Sequence, residues 1–141
     1  MREIKFRGKR IDNGEWVHGD LIHERYGTCI QYTTTINPKG YGAPERKAII
    51  QRHKATVDPA TVGQFTGLKD RNGVEIYEGD IVTFNNNNFK VVYKQDRYYI
   101  GWVATDEGEN CYIHIWYDDI EVLGNIYDNP ELLEGGPPDA D

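Results

Sequence analysis

The chain has 141 residues and a formal net charge of −7. This length predicts one ordinary domain or two small subdomains that share a core. The first ten residues are charged throughout, and no apolar run approaches the roughly 20 residues of a membrane span, so we expect neither a signal peptide nor a membrane partner. Cys29 and Cys111 fit no metal or redox spacing, which predicts free thiols in a reducing cytoplasm.

Charge is unevenly distributed along the chain. Residues 1–60 carry 11 Lys/Arg and 7 Asp/Glu, a balance of +4, whereas residues 61–141 carry 5 and 16, a balance of −11. Two explanations remain open. The difference could be drift of surface charge together with an acidic tail, or it could serve head-to-tail contact between copies or an acidic face that meets a basic partner.

The first half of the chain reads as short strands separated by turns. Asp58 and Pro59 suit the N-cap and the first position of a single helical turn. We place a domain boundary there, between residues 60 and 61. The expected elements are strands over residues 2–6, 15–23, 28–36 and 47–53, an Asn13-Gly14 hairpin turn, and a loop rich in Pro and Gly over residues 37–46.

The second half continues the same pattern. Residues 61–82 predict two short β-segments joined by an Asp-Arg-Asn-Gly turn, followed by an acidic turn that begins a strand at Asp80. Many short strands at near-regular spacing predict a mainly β fold of short-stranded antiparallel sheets, a barrel or a sandwich, with little helix. The further expected elements are strands over residues 80–84, 89–93, 97–105, 112–117 and 121–126, an exposed hairpin tip at 85–88, and a disordered acidic tail over 134–141. We also expect a short helix with Asn129 as its N-cap and Pro130 at its first position.

Residues able to carry out catalysis or bind a metal are scattered. The chain has no serine, which excludes serine-nucleophile mechanisms. Its carboxylate pairs fall in turns, where Asp is expected to accept hydrogen bonds from nearby backbone groups. If the chain were an enzyme, a cysteine would be the most plausible nucleophile. We predict no enzyme activity, no catalytic residue and no cofactor, and no metal site among the residues that could supply ligands, which are His18, His23, Cys29, His53, Cys111 and His114.

The Phe89–Tyr99 hairpin is the one surface of positive character in the acidic half. Lys90 and Lys94 share a strand face opposite the apolar residues, and Arg97 and Tyr99 continue on the returning strand. These four residues are our candidate partner-binding site. Aromatic residues interleaved with basic ones are typical of single-stranded nucleic-acid binding. The alternative is an ordinary polar outer face, which the surrounding −11 charge favours because it repels phosphates.

Three segments together resemble the YopX family of bacteriophage and prophage proteins, found mostly in low-GC Gram-positive bacteria. They are MREIKFRGK at the start, TVGQFTGLKDRNGVEIYEGDIV in the centre and EVLGNIYDNPELLE near the end. The resemblance implies an SH3-like small barrel over residues 79–127, within a central and C-terminal domain of residues 61–133. It implies no established activity. Residues 37–46 and 85–116 match the family only loosely.

The resemblance and the lack of catalytic patterns point to one function and one alternative. We expect a non-enzymatic phage accessory protein, in the cytoplasm of the bacterial host, whose small barrel binds an unidentified host or phage protein. The alternative is nucleic-acid handling, either by direct binding through the Phe89–Tyr99 hairpin or by mimicry of DNA through the acidic face. Open sheet edges and halves of opposite charge also predict a homo-oligomer.

Overall fold

A computed structural model describes residues 3–36, 49–95, 100–106, 112–115 and 119–133. The protein is mainly β with antiparallel strand pairing, which confirms the predicted fold class. The chain divides into two compact units, Lys5–Val62 and Met1–Ile4 with Gly63–Asp141, called here the N-terminal and the C-terminal unit. The predicted domain boundaries stay predictions, and both the 37–46 loop and the 134–141 tail lie outside the described residues.

The N-terminal unit is a run of antiparallel strands in the spatial order β4-β3-β2-β1. The longest ladder joins β3 to β4 and runs without a register shift from the Cys29–Thr56 pair to the Ile36–Ile49 pair. An isolated antiparallel bridge between Arg10 and Val57 joins the ends of the two outer strands. The elements of this unit are β1 (Phe6–Lys9), β2 (Trp16–Glu24), β3 (Gly27–Ile36), β4 (Ile49–Thr56) and a 3₁₀ helix (Pro59–Thr61).

The first strand begins later than the sequence predicts. We expected a strand over residues 2–6, but β1 begins at Phe6, which pairs with Gly19. The cause is the hairpin register, since the Arg10 N–H donates to the Glu15 carbonyl at 2.8 Å and closes the turn there. Alternating side chains gave the right kind of element, and the turn decided which residues find a partner strand.

The C-terminal unit contains the β5-β6 hairpin and a five-stranded antiparallel sheet in the order β10-β9-β8-β7-β11. The last strand lies beside the first, which is the order expected of an SH3-like barrel. Over the described residues the sheet is not closed into a barrel, so this finer detail stays a prediction. The strands are β5 (Gly63–Lys69), β6 (Glu75–Tyr77), β7 (Asp80–Phe84), β8 (Asn87–Gln95), β9 (Ile100–Thr105), β10 (Tyr112–His114) and β11 (Glu121–Asn125).

One apolar cluster forms the core of the C-terminal unit. Alternate residues of β7, β8 and β9 point to one face of the sheet, as the two-residue period of a strand requires. These side chains pack with residues from β6 and from the segments before β11. The buried members are Ile76, Val82, Phe89, Val91, Trp102, Ala104, Ile115 and Ile120.

The short helices and turns follow the predictions with one difference. Asp58 caps the first 3₁₀ helix, accepting from the Ala60 N–H at 3.0 Å. The second 3₁₀ helix (Pro130–Leu132) forms as expected, but the Asn129 side chain does not cap it, because it accepts from the Asn125 N–H instead. Asn85 and Asn86 form the predicted hairpin tip at positive φ. No helix in the described parts of the chain is long and apolar enough to cross a bilayer.

Candidate functional site

The Asp-Arg-Asn-Gly turn between β5 and β6 is organised by the carboxylate of Asp70. Asp70 is buried, and its Oδ1 accepts from the backbone N–H groups of Asn72 and Val74 at 2.8 and 2.9 Å. Its Oδ2 accepts from the backbone N–H of Val122 at 2.8 Å. The Asp70 side chain therefore stabilises its own turn and also joins that turn to β11, where Val122 lies 52 residues further along the chain.

The surroundings of Asp70 set its protonation state. Burial raises the pKa of this carboxyl, but the donors from Val122, Val74 and Asn72 outweigh burial and hold the pKa below its usual value of 3.8. The group is ionised at neutral pH and already accepts three backbone hydrogen bonds. These contacts fit a structural carboxylate better than a general acid or base, which needs a pKa near the working pH.

The acidic turn before β7 has a similar construction. The Asp80 carboxylate is buried and accepts from the Tyr77 N–H at 2.7 Å. Gly79 has φ of +90°, its N–H donates to the Val91 carbonyl and its carbonyl accepts from the Ile126 N–H, both at 2.9 Å. The left-handed backbone favours glycine at this position. This turn therefore connects β6 to the first strand of the five-stranded sheet.

The segment after β11 forms a third turn of this kind. The Asn125 Oδ1 accepts from the backbone N–H groups of Tyr127 and Asp128 at 3.0 and 2.9 Å. A Cβ atom at Gly124 would lie 2.3 Å from the Oδ1 of Asn129, so only glycine fits there without movement of the asparagine. The two asparagines and the glycine of the GNIYDN sequence thus hold the turn of residues 126–129 against the end of β11.

A surface ion pair accompanies the Asp70 contacts. The Arg71 guanidinium donates to Glu121 Oε2 at 2.6 Å, and the Asn72 side-chain amide donates to Glu121 Oε1 at 3.1 Å. The Arg71 backbone N–H also donates to the Ile120 carbonyl. The polar residues of the turn therefore contact the start of β11 directly.

The candidate partner-binding residues are only partly described. Lys90 and Lys94 both lie on β8, on the face opposite buried Phe89 and Val91, as the alternation predicts. Arg97 and Tyr99 lie outside the described residues. Lys90 stands between Ile81 of β7 and Thr105 of β9, whereas Lys94 stands opposite Gly101, which has no side chain.

The residue types that could bind a metal do not converge in the described ranges, where no group of three His, Cys, Asp or Glu side chains could hold an ion. The His53 Nε2 lies 2.7 Å from the Thr34 hydroxyl, and its ring stacks on Tyr32. Cys29 is a buried free cysteine whose Sγ lies 3.8 Å from the Thr56 hydroxyl. Cys111 lies outside the described residues.

Sequence comparison assigns the chain to a family. A family model described as "YopX protein" matches residues 5–134. The chain belongs to the YopX family. Of the three segments that resemble the family, the central one supplies the Asp70 and Asp80 contacts and the last one supplies the Asn125 contacts, so much of these two motifs has a structural explanation.

Other comparisons add a structural likeness and no function. No curated protein matches the chain significantly. Among solved structures, the chain is similar to protein EF1440 from Enterococcus faecalis, with 23% sequence identity over 95% of this chain and 100% of that one, and a TM-score of 0.49. At that score the likeness carries no argument about function.

Proposed function

We propose that this YopX-family member is a non-enzymatic phage or prophage accessory protein that binds a protein partner through the outer face of β8. One observation carries the proposal, namely the placement of Lys90 and Lys94 on the face opposite the core. On a strand, residues four apart lie on the same side and about 13 Å apart. Two ammonium groups at that spacing suit a partner surface that carries separated carboxylates.

The neighbours of the two lysines suggest how they would make contact. Lys90 is half-buried between Ile81 and Thr105, which are themselves buried. Its aliphatic stem can pack beside them while the ammonium group reaches water. Lys94 is also half-buried, but its cross-strand neighbour is Gly101. We therefore choose Lys94 for substitution, because its cross-strand neighbour has no side chain to displace.

A protein is favoured over nucleic acid as the partner because of the surrounding charge. Residues 61–141 carry a balance of −11, so a phosphate backbone that approaches β8 meets a repulsive field beyond the two lysines. A protein surface can place a few carboxylates against the lysines without extending its own negative charge. It can also bury apolar atoms against Val92, which lies between the two lysines on β8.

The absence of catalysis in the proposal rests on what the motif residues already do. The carboxylates of Asp70 and Asp80 accept backbone hydrogen bonds, and the Asn125 side chain does the same. Each of these side chains therefore has a structural role in the motif, because its hydrogen bonds stabilise a turn. Catalytic groups would instead point into a cleft with shifted pKa values near the working pH.

The test is affinity capture from host lysate with wild-type protein and the Lys94→Glu variant, each with and without nuclease, followed by mass spectrometry. Lys69→Glu is the matched control, because it makes the same charge change at an exposed position of β5. We expect a stoichiometric protein that resists nuclease, binds wild type and Lys69→Glu, and is lost with Lys94→Glu.

Two results would count against the proposal. Equal capture of the same protein by Lys94→Glu and wild type would remove β8 as the binding face. Captured material that disappears with nuclease would favour nucleic acid instead, and titration with oligonucleotides at low salt would then show salt-sensitive binding. Capture of a basic DNA-binding protein by a surface other than β8 would support DNA mimicry.

A further inference from the structure

Among the residues that the structure describes, β4 forms an outer edge of the N-terminal unit. β4 is the last strand in the order β4-β3-β2-β1, and it pairs with β3 throughout its eight residues, Ile49–Thr56. Natural edge strands are usually short, interrupted by a proline or a bulge, or protected by charged side chains. β4 is eight residues long, contains no proline and has no register shift in its ladder with β3, so of these features it has only the charged side chains of Arg52 and Lys54.

The hydrogen bonds at the end of β4 show which backbone groups point outward. The Val57 N–H donates to the Thr28 carbonyl toward β3, whereas the Thr56 carbonyl accepts from the Ile11 N–H on the other side. In an antiparallel ladder the direction alternates with each residue. The N–H and C=O groups of Ile50, Arg52 and Lys54 therefore point away from β3.

Over the described residues, the ladder of β3 and β4 continues past β2 as a two-stranded ribbon. The pairing of β2 with β3 ends at the Asp20–Gln31 pair, while β3 and β4 stay paired as far as Ile36 and Ile49. Two-stranded ribbons are marginally stable in water. This one also exposes apolar surface, since Ile49 is 52% and Ile50 67% exposed. A third strand along β4 would satisfy the outward backbone groups and cover these side chains.

We propose that the outer edge of β4 accepts an extended acidic segment of a partner protein, which adds to the sheet as a further strand. Peptides that add to an exposed edge gain affinity from main-chain hydrogen bonds and specificity from alternate side chains. Arg52 is exposed on the same face as Lys54, and residues 1–60 have a balance of +4. A carboxylate on the added strand would complement Arg52, whereas Lys54 is already paired with Glu24. This edge is distinct from β8, so the inference goes beyond the function proposed above.

Charge argues against the same strand of a second copy as the occupant. Two β4 strands paired antiparallel about Arg52 would place that guanidinium opposite its own copy. Paired about His53, they would place Arg52 opposite Lys54. Like charges directly opposite each other destabilise a sheet. Lys54 forms an ion pair with Glu24 of its own unit, so the repulsion between two copies arises mainly at Arg52.

The probe is a synthetic six-residue peptide of alternating Glu and Val with capped ends, matched to residues 49–54, because the Thr56 carbonyl already accepts from the Ile11 N–H. It is titrated into the full-length protein at low salt. We expect saturable binding with a Kd on the order of 100 µM, weakened by added salt. Amide hydrogen exchange followed by NMR should show new protection at Ile50, Arg52 and Lys54. Gln51 and His53 should change less, because their N–H groups already point toward β3.

Control peptides separate strand addition from simple charge attraction. A fully N-methylated peptide of the same sequence keeps the side chains but cannot donate backbone hydrogen bonds, and it should not bind. A peptide with Lys in place of Glu should bind at least about tenfold more weakly, because its charges repel Arg52. Binding of the N-methylated peptide with unchanged affinity would overturn the proposal.

Protein variants locate the contact. Arg52→Glu should weaken binding about tenfold, whereas Arg25→Glu, an equal charge change in the β2-β3 turn, should change it less than about twofold. Arg52→Pro removes an outward N–H that β3 does not use, which edge strands tolerate. It should bind more weakly than Arg52→Ala, which keeps that N–H. The N-methylated peptide test stands even if the proline variant does not fold.

Three further outcomes would overturn the inference. One is no saturable binding of the Glu/Val peptide up to about 1 mM. Another is binding without protection at Ile50, Arg52 and Lys54. The third is protection of those amides that grows with protein concentration alone, because it would show a second copy on the edge in place of an acidic partner. Because Lys94→Glu should leave peptide binding unchanged, failure of this inference and failure of the β8 proposal are distinguishable.

Discussion

The two units of this YopX-family protein build β structure by different means. The N-terminal unit has the longer strands, including the ten residues of β3. Among its described residues the buried apolar side chains are few: Cys29, Ile30, Ala55 and Val57. The C-terminal unit has several strands of three to seven residues around a larger apolar cluster. Long ladders characterise the first unit, and buried side chains the second.

The two units differ in which groups supply hydrogen bonds where strands are short. In the C-terminal unit, Asp70, Asp80 and Asn125 accept backbone hydrogen bonds at the ends of short strands. In the N-terminal unit the ladder of β3 and β4 supplies its own hydrogen bonds over eight residues of β4. We expect the loss of a single polar side chain to lower the free energy of unfolding most in the C-terminal unit. A clash with the backbone should lower it most in the N-terminal unit.

The largest effect is expected for Asp70→Ala. It leaves three backbone N–H groups without the acceptor of their part-buried hydrogen bonds, so the free energy of unfolding should fall by about 4 kcal/mol. Asp58→Ala is the matched control, because that exposed carboxylate accepts a single backbone N–H as an N-cap, and it should cost about 1 kcal/mol. Urea unfolding measures both. Equal losses would contradict the comparison of the two units.

A smaller effect is expected for Gly19→Ala in the N-terminal unit. The added Cβ would lie 2.1 Å from the carbonyl oxygen of Gln31, so β2 and β3 must separate, at a cost of about 3 kcal/mol. Gly14→Ala is the control, since no atom lies within 4 Å of its Cβ position. Its φ of +75° should still cost about 1 kcal/mol. A lower melting temperature for Gly14→Ala than for Gly19→Ala would show that the close approach of β2 and β3 at Gly19 does not limit stability.

The pH dependence of stability should be traceable to Asp70. Burial raises the pKa of this carboxyl, but backbone donors outweigh burial and lower the pKa below 3.8 in the folded state. Its ionised form therefore stabilises the fold fully above the ordinary value, and that contribution is lost as pH falls through the lower folded value. The gap in unfolding free energy between wild type and Asp70→Asn should narrow below about pH 4. A gap that stays constant from pH 7 to pH 3 would refute this assignment.

The smallest effect is expected for the surface ion pair between Arg71 and Glu121, whose atoms are 2.6 Å apart with side chains 53% and 31% exposed. Solvent screens such pairs, so a double-mutant cycle with Arg71→Ala and Glu121→Ala should give a coupling energy of about 0.5 kcal/mol. The coupling should shrink in high salt. A value above that for Asp70→Ala would mean that the exposed pair, not the buried carboxylate, joins the turn to β11.

Local sequence patterns predicted the elements because their causes are local. The parity of Lys90 against Phe89, the cap at Asp58 and the turn at Asn85 each depend on neighbours within a few residues. The same reasoning placed the first strand too early, because the β1 register depends on the hairpin that pairs it with β2. It also predicted that Asn129 caps the last helix, whereas the Asn129 side chain accepts from the backbone N–H of Asn125.

By itself the sequence determined a mainly β chain of short strands, its turns and its membership of the YopX family. The tertiary structure alone decided that Asp70 reaches Val122 and that β4 lies at a sheet edge with outward backbone groups at Arg52. The physical reason is the distance along the chain over which each interaction acts. Turn and strand propensities act between neighbouring residues. A hydrogen bond such as that from Val122 to Asp70, or an exposed strand edge, exists only once distant segments have packed together.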